Sequence, residues 1–185
     1  LQKYKPEKEI DRARSSWDDK IIRRLEQAKL QPERFVRYYW MSKYAFVPGK
    51  YLYKSIKKQI TQHKEFFEEL VKESDVYYNI NRLNFDNFKS DIHDNEIFES
   101  LQLIKELGIQ QCDTLLLALY RAYERNFISK NQLKVTIQVI ENFSLLFVIA
   151  GKSPSGIERI YSKYAIETEK LKNSGDYNEI LKKIK

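Results

Sequence analysis

Cysteine is almost missing from this sequence. Cys112 is the only one, so no intramolecular disulfide and no thiolate zinc site can hold the fold. Histidine is nearly as scarce. His63 falls at an apolar helical position and reads as packed, and His93 falls in a polar stretch and reads as exposed. Neither has a His or Cys neighbour at a metal-ligand spacing. Cys112 as a nucleophile would need a histidine that only the fold could supply. The five glycines are isolated, so no phosphate-cradling loop exists. Glu68 and Glu69 are adjacent and diverge on a helix, which argues against a shared acid–base pair. Asp86, Asp91 and Asp94 lack the alternate spacing and the glycine of a calcium loop. These absences leave no set of residues that carries an enzyme's chemistry, and no cofactor or metal is expected.

Turn formers are scarce as well. Four prolines and five glycines in 185 residues, beside plentiful Lys, Glu, Leu, Ile and Gln, point to an all-α chain. No apolar run approaches the roughly 20 residues of a membrane span. The longest cover residues 115–120 and 143–150. Residues 1–10 are charged and form no secretory signal. The expectation is a cytoplasmic protein with no membrane segment. The chain opens on Leu1 and closes on Lys182-Lys183-Ile184-Lys185, and reads as a fragment of something larger.

What the sequence does hold is seven to eight helices. Ile10, Trp17, Ile21, Leu25 and Ala28 space a first helix over residues 10–28. Pro32 opens a second, with Glu33 near its positive end, and Pro48-Gly49 must follow its end. Tyr53, Ile56, Ile60, His63, Phe67 and Leu70 predict one long third helix with a heptad-like seam. Ser74-Asp75 predicts a restart after it. Asn84 through Asn95 is rich in turn and cap formers. Asp94 or Asn95 is expected to cap the next helix, which Gly108 ends. Residues 115–120 form the most apolar helix. Ser129 and Gln132 have the form of a capping box for a helix that Gly151 stops. Those two helices are expected to make a central apolar hairpin. Ser153-Pro154 opens another helix, and Ile180, Leu181 and Ile184 mark a last short one. The expected organisation is a single helical domain over 1–185, with basic and aromatic helices in 10–83 and an apolar helical core in 95–171.

Charge is concentrated rather than spread. Residues 34–64 contain no Asp or Glu and eight cations, while the whole chain carries +7, so the remainder nets to −1. The cations are Arg34, Arg37, Lys43, Lys50, Lys54, Lys57, Lys58 and Lys64. Among them stand Phe35, Tyr38, Tyr39, Trp40, Tyr44, Phe46, Tyr51 and Tyr53. Cations interleaved with aromatics suit a polyanion, nucleic acid first. Equally, the aromatics can be core and the lysines a solvated helix face. On the first reading the backbone contacts are Arg34, Arg37, Lys50, Lys54, Lys57 and Lys58, without base readout. Tyr38, Tyr51 and Tyr53 would stack or hydrogen-bond, with the core the favoured place for Tyr53.

Arg34-Phe35-Val36-Arg37-Tyr38-Tyr39-Trp40-Met41-Ser42-Lys43-Tyr44, with Tyr51-Leu52-Tyr53-Lys54-Ser55-Ile56-Lys57, resembles the helical segment of GmrSD-type DNA restriction proteins. Thr114-Leu115-Leu116-Leu117-Ala118-Leu119-Tyr120 and Val139-Ile140-Glu141-Asn142-Phe143 resemble later helices of that family, in the same order. The resemblance spans about residues 10–165. That family carries an N-terminal ParB-like nucleotide-hydrolysing domain with an Asp-Gly-Gln-Gln-Arg type motif, and often a C-terminal HNH nuclease domain. Neither motif is in this chain, and Ser144-Leu145-Leu146-Phe147 stands where the family tends to place an arginine. The resemblance therefore implies the helical middle region of a restriction and defence protein, without either catalytic domain. It would bind DNA backbone or couple flanking NTPase and nuclease domains. The alternative is a protein–protein interaction module whose basic rod docks an acidic surface and binds no nucleic acid.

Overall fold

The computed structural model describes residues 14–83, 92–151, 155–173 and 176–184. They form an all-α multi-helix bundle, with nine α-helices and no strand among the described residues. In chain order these are α1 (Arg23–Gln27), α2 (Pro32–Lys43), α3 (Leu52–Gln59), α4 (His63–Asn81) and α5 (Ile92–Glu106). They continue with α6 (Asp113–Glu124), α7 (Lys130–Ile149), α8 (Ser155–Glu169) and α9 (Tyr177–Ile184). A π-helical turn, Asp18–Ile22, runs directly into α1, and a 3-10 turn, Gly49–Tyr51, runs into α3. The part of the first expected helix before residue 14 lies outside the described residues, as do most of the 84–95 turn region and Pro154.

The centre is one helix, not the expected hairpin. Leu115, Leu116, Leu117, Ala118 and Leu119 of α6 are all buried. A helix apolar on every side must be surrounded, and α6 packs on α8, α2, α4 and α7. Its α8 contact is the most extensive in the molecule, and α7 pairs mainly with α5. The last two turns of α7 leave the core. Leu146 and Ile149 are 64% and 72% exposed. By length and composition α7 could cross a membrane, but it buries Leu133, Ile137 and Ile140 in the bundle.

The helix ends follow local chemistry. Ser129 Oγ accepts from the Gln132 N–H at 3.2 Å, and Gln132 Oε1 accepts from the Ser129 N–H at 2.8 Å. This is the expected capping box. Gly108 and Gly151 follow α5 and α7 at φ +72° and +59°, the left-handed conformation that glycine adopts without strain. Asp94 and Asn95 do not cap α5, which already begins at Ile92.

Two boundaries differ from expectation. The long third helix is two helices. Ile60 leaves helical geometry at φ −90°, ψ 115°, and α4 begins only at His63. The chain turns there, so the heptad seam is lost. Tyr53 is 75% exposed, and His63 is exposed rather than packed. The restart at Ser74 does not occur. Ser74 is buried inside α4, and its Oγ donates to the Val71 carbonyl at 2.7 Å. A serine that returns its hydroxyl to the preceding turn sits within a helix without breaking it.

Polar side chains also hold the centre. Arg121 of α6, 4% exposed, donates from Nε and Nη2 to both Glu73 oxygens at 2.8 and 3.0 Å. Its Nη1 reaches Glu169 at 2.5 Å, and Nη2 also reaches Ser42 Oγ at 3.0 Å. Four helices, α2, α4, α6 and α8, thus meet at one guanidinium.

Candidate nucleic-acid interface

The basic stretch folds into α2, a loop ending in the Gly49–Tyr51 turn, α3, and the first residues of α4, which carry Lys64. Leu52 and Ile56, four residues apart, turn one side of α3 onto the core cluster. The lysines take the other side. Lys54, Lys57 and Lys58 are exposed on α3, and Lys50 is exposed in the turn before it. Tyr51 and Tyr53 are 50% and 75% exposed beside them. Lys50 Nζ lies 4.9 Å from the Tyr51 ring centre.

Ion pairing sorts the eight cations into two groups. Arg37 donates Nη1 and Nη2 to the Glu158 carboxylate at 2.7 and 2.5 Å, and Nε to the Val47 carbonyl at 3.1 Å. Lys43 pairs with Glu69, and Lys64 stands 4.0 Å from Glu68. Arg34 donates to Gln110 Oε1. It sits in the first turns of α2, beside the start of α6. Lys50, Lys54, Lys57 and Lys58 have no carboxylate partner among the described residues.

The expected contact set is corrected accordingly. Tyr38 is 3% exposed and packs in the core, so it cannot stack on a base. Burial, with Asp113 near, pushes its hydroxyl well above the ordinary tyrosine range. Arg37 is committed to Glu158 and Val47. It fastens the loop that delivers α3 rather than facing a partner, and its Cδ lies 3.9 Å from where a Cβ on Gly49 would stand. Arg34 is half-buried and donates to Gln110. Lys50, Lys54, Lys57, Lys58 and Tyr51 do come together.

Sequence reasoning missed two members of this face. The apolar spacing favours the core for Tyr53, which the structure leaves 75% exposed. Arg159 of α8 lies over the Phe46 ring at 4.9 Å and is exposed. Phe46, Val47, Ser55 and Lys58 line a shallow groove of about 320 Å³ there. Nothing in the linear sequence ties Arg159 to residues 45–58. Only the α2–α8 packing brings them together.

The geometry suits a row of phosphates. From Lys50 to Lys58 the helical rise covers about 12 Å, over which one B-DNA strand presents roughly three to four phosphates. No group of three or more His, Cys, Asp or Glu residues able to hold a metal occurs among the described residues. No family model matches the chain, and no curated protein or solved structure matches it.

Proposed function

We propose that this chain is a non-catalytic helical domain that binds DNA backbone through α3 and the turn before it, as the helical region of a GmrSD-like restriction or defence protein. The observation that carries the reading is the row of four exposed lysines without carboxylate partners, flanked by exposed Tyr51 and Tyr53. Exposed cations in water keep their charge available to an external anion, whereas paired ones do not. Contacts of this kind position a duplex without reading its sequence. In a parent protein the same face would let the domain couple DNA engagement to flanking NTPase and nuclease domains. The test is fluorescence anisotropy with random-sequence duplexes of increasing length. Affinity should rise with length and fall steeply with salt, and differ little between sequences. A length-independent, salt-insensitive signal would remove the DNA reading.

A second reading has its own observation. Phe143, Leu146, Ile149 and Ile160 are exposed together near the free end of α7. An apolar surface of this kind fits protein–protein contact. It shares no residue with the α3 face, although α8 contributes Arg159 to one and Ile160 to the other.

A further inference from the structure

A separate cleft of about 310 Å³ opens where the turn after α1, the end of α4, α5 and the start of α6 meet. That volume lies at the lower end of the range for small-molecule sites. Its walls are aliphatic: Leu30, Ile80, Leu101, Ile104, Ile109 and Leu116. Among the described residues, Asp113, 4% exposed, is the only carboxylate that lines it. Asp113 Oδ2 accepts from Asn81 Nδ2 at 3.2 Å. The cleft's other charged lining residues are Lys29, Arg82 and Lys105, all three exposed and all cationic. None of the three has a carboxylate partner among the described residues; Lys105 donates only to the Asn81 carbonyl. The site is therefore graded: a buried acceptor at the floor, apolar walls, and three cations at the rim.

We infer that this cleft binds a small organic phosphate of the nucleoside monophosphate class. The phosphate would sit among Lys29, Arg82 and Lys105, the planar body between the aliphatic walls, and an N–H donor edge at Asp113. Each part of such a ligand meets the chemistry it needs. A dianion needs more than one cation, a flat ring needs apolar faces, and a ring N–H needs an acceptor. A bare phosphate would leave the walls and Asp113 unused. Asp113 has one structural role already, as an acid in the first turn of α6 near the positive helix end. That role explains its presence but not the three cations gathered opposite it. Burial pushes its carboxyl up to about 7, against the Asn81 hydrogen bond and the charges of Arg34 and Lys105. This inference is independent of DNA binding, since the cleft and α3 share no residue.

The probe is adenosine 5′-monophosphate, titrated into the whole chain by calorimetry and by methyl NMR, beside adenosine and inorganic phosphate. The expected result is saturable binding of the monophosphate at least tenfold tighter than either part alone. Methyl shifts should centre on Ile80, Leu101, Ile104 and Leu116. Lys29→Glu and Arg82→Glu change exposed residues, and each should weaken binding about tenfold while leaving the melting temperature in place. Equal affinity for inorganic phosphate, shifts centred on α3, or no saturation at millimolar ligand would each overturn the inference.

Discussion

Arg121 concentrates much of the fold's specificity in one side chain. Its guanidinium satisfies Glu73, Glu169 and Ser42 at once, with Glu73 as fully enclosed as itself. Removing one member of a buried pair strands a charge in a low-dielectric interior, at about 3–5 kcal/mol. Glu73→Ala leaves Arg121 with Glu169 as its one carboxylate and should lower unfolding stability by about 3 kcal/mol, the lower end of that range, in urea titrations. The double replacement Glu73→Leu with Arg121→Met should recover most of it, because Glu169 keeps Arg125 as its partner and no orphan charge remains. Asp113 makes a different prediction. Its folded pKa stands near 7 against 3.8 unfolded, with burial the main cause and Asn81, Arg34 and Lys105 opposing it. Tyr38, Tyr77 and Cys112 also feel its charge. The folded state then binds more protons than the unfolded state between those values. Stability from this group is full below about pH 4 and falls as pH rises toward 7. Asp113→Asn should flatten that slope, read from thermal midpoints between pH 4 and 8.

At the scale of elements, the argument turns on where helices stop. Ser129→Ala removes the α7 cap and should cost about 0.5–2 kcal/mol, measurable by chemical denaturation. Arg37 acts on α3 from below, through Glu158 and Val47. Arg37→Met should weaken DNA binding several-fold with every lysine intact, while far-UV circular dichroism stays unchanged. Helix identity was legible in the sequence wherever a cap, a proline or a glycine marks an end: Pro32, Ser129, Gly108 and Gly151 all stand where helix chemistry places them. The break at Ile60 was not legible. Ile60, Thr61 and Gln62 include no strong breaker, and the apolar spacing runs straight across them. That single turn misplaced Tyr53 and His63. The core helix α6 was legible from Leu115 through Leu119, but its partner was not. Periodicity names a buried face without naming what covers it, and α8 rather than α7 lies closest. The ion pairs were invisible for the same reason. Glu69 and Glu73 carry no mark in the sequence of the Lys43 and Arg121 they meet.

Across the whole molecule, charge and apolar surface are segregated. The α3 lysines, the cationic rim of the Asp113 cleft and the bare end of α7 occupy separate regions of the bundle. A net charge of +7 alone would describe diffuse attraction to any polyanion. Pairing of Arg37 and Lys43 with carboxylates, and of Arg34 with Gln110, leaves the α3 lysines as the compact exposed group of the 34–64 block. The most direct test of that claim compares the wild type with Lys50, Lys54, Lys57 and Lys58 all changed to Glu, in duplex-DNA binding over a salt series. The wild type should show a log–log salt slope of about −3 to −4, near 0.9 for each phosphate neutralised. The variant should keep its helical spectrum and melting temperature and lose binding together with the slope. If the variant binds as the wild type does, or the wild type fails to bind at low salt, α3 is not a DNA-binding face.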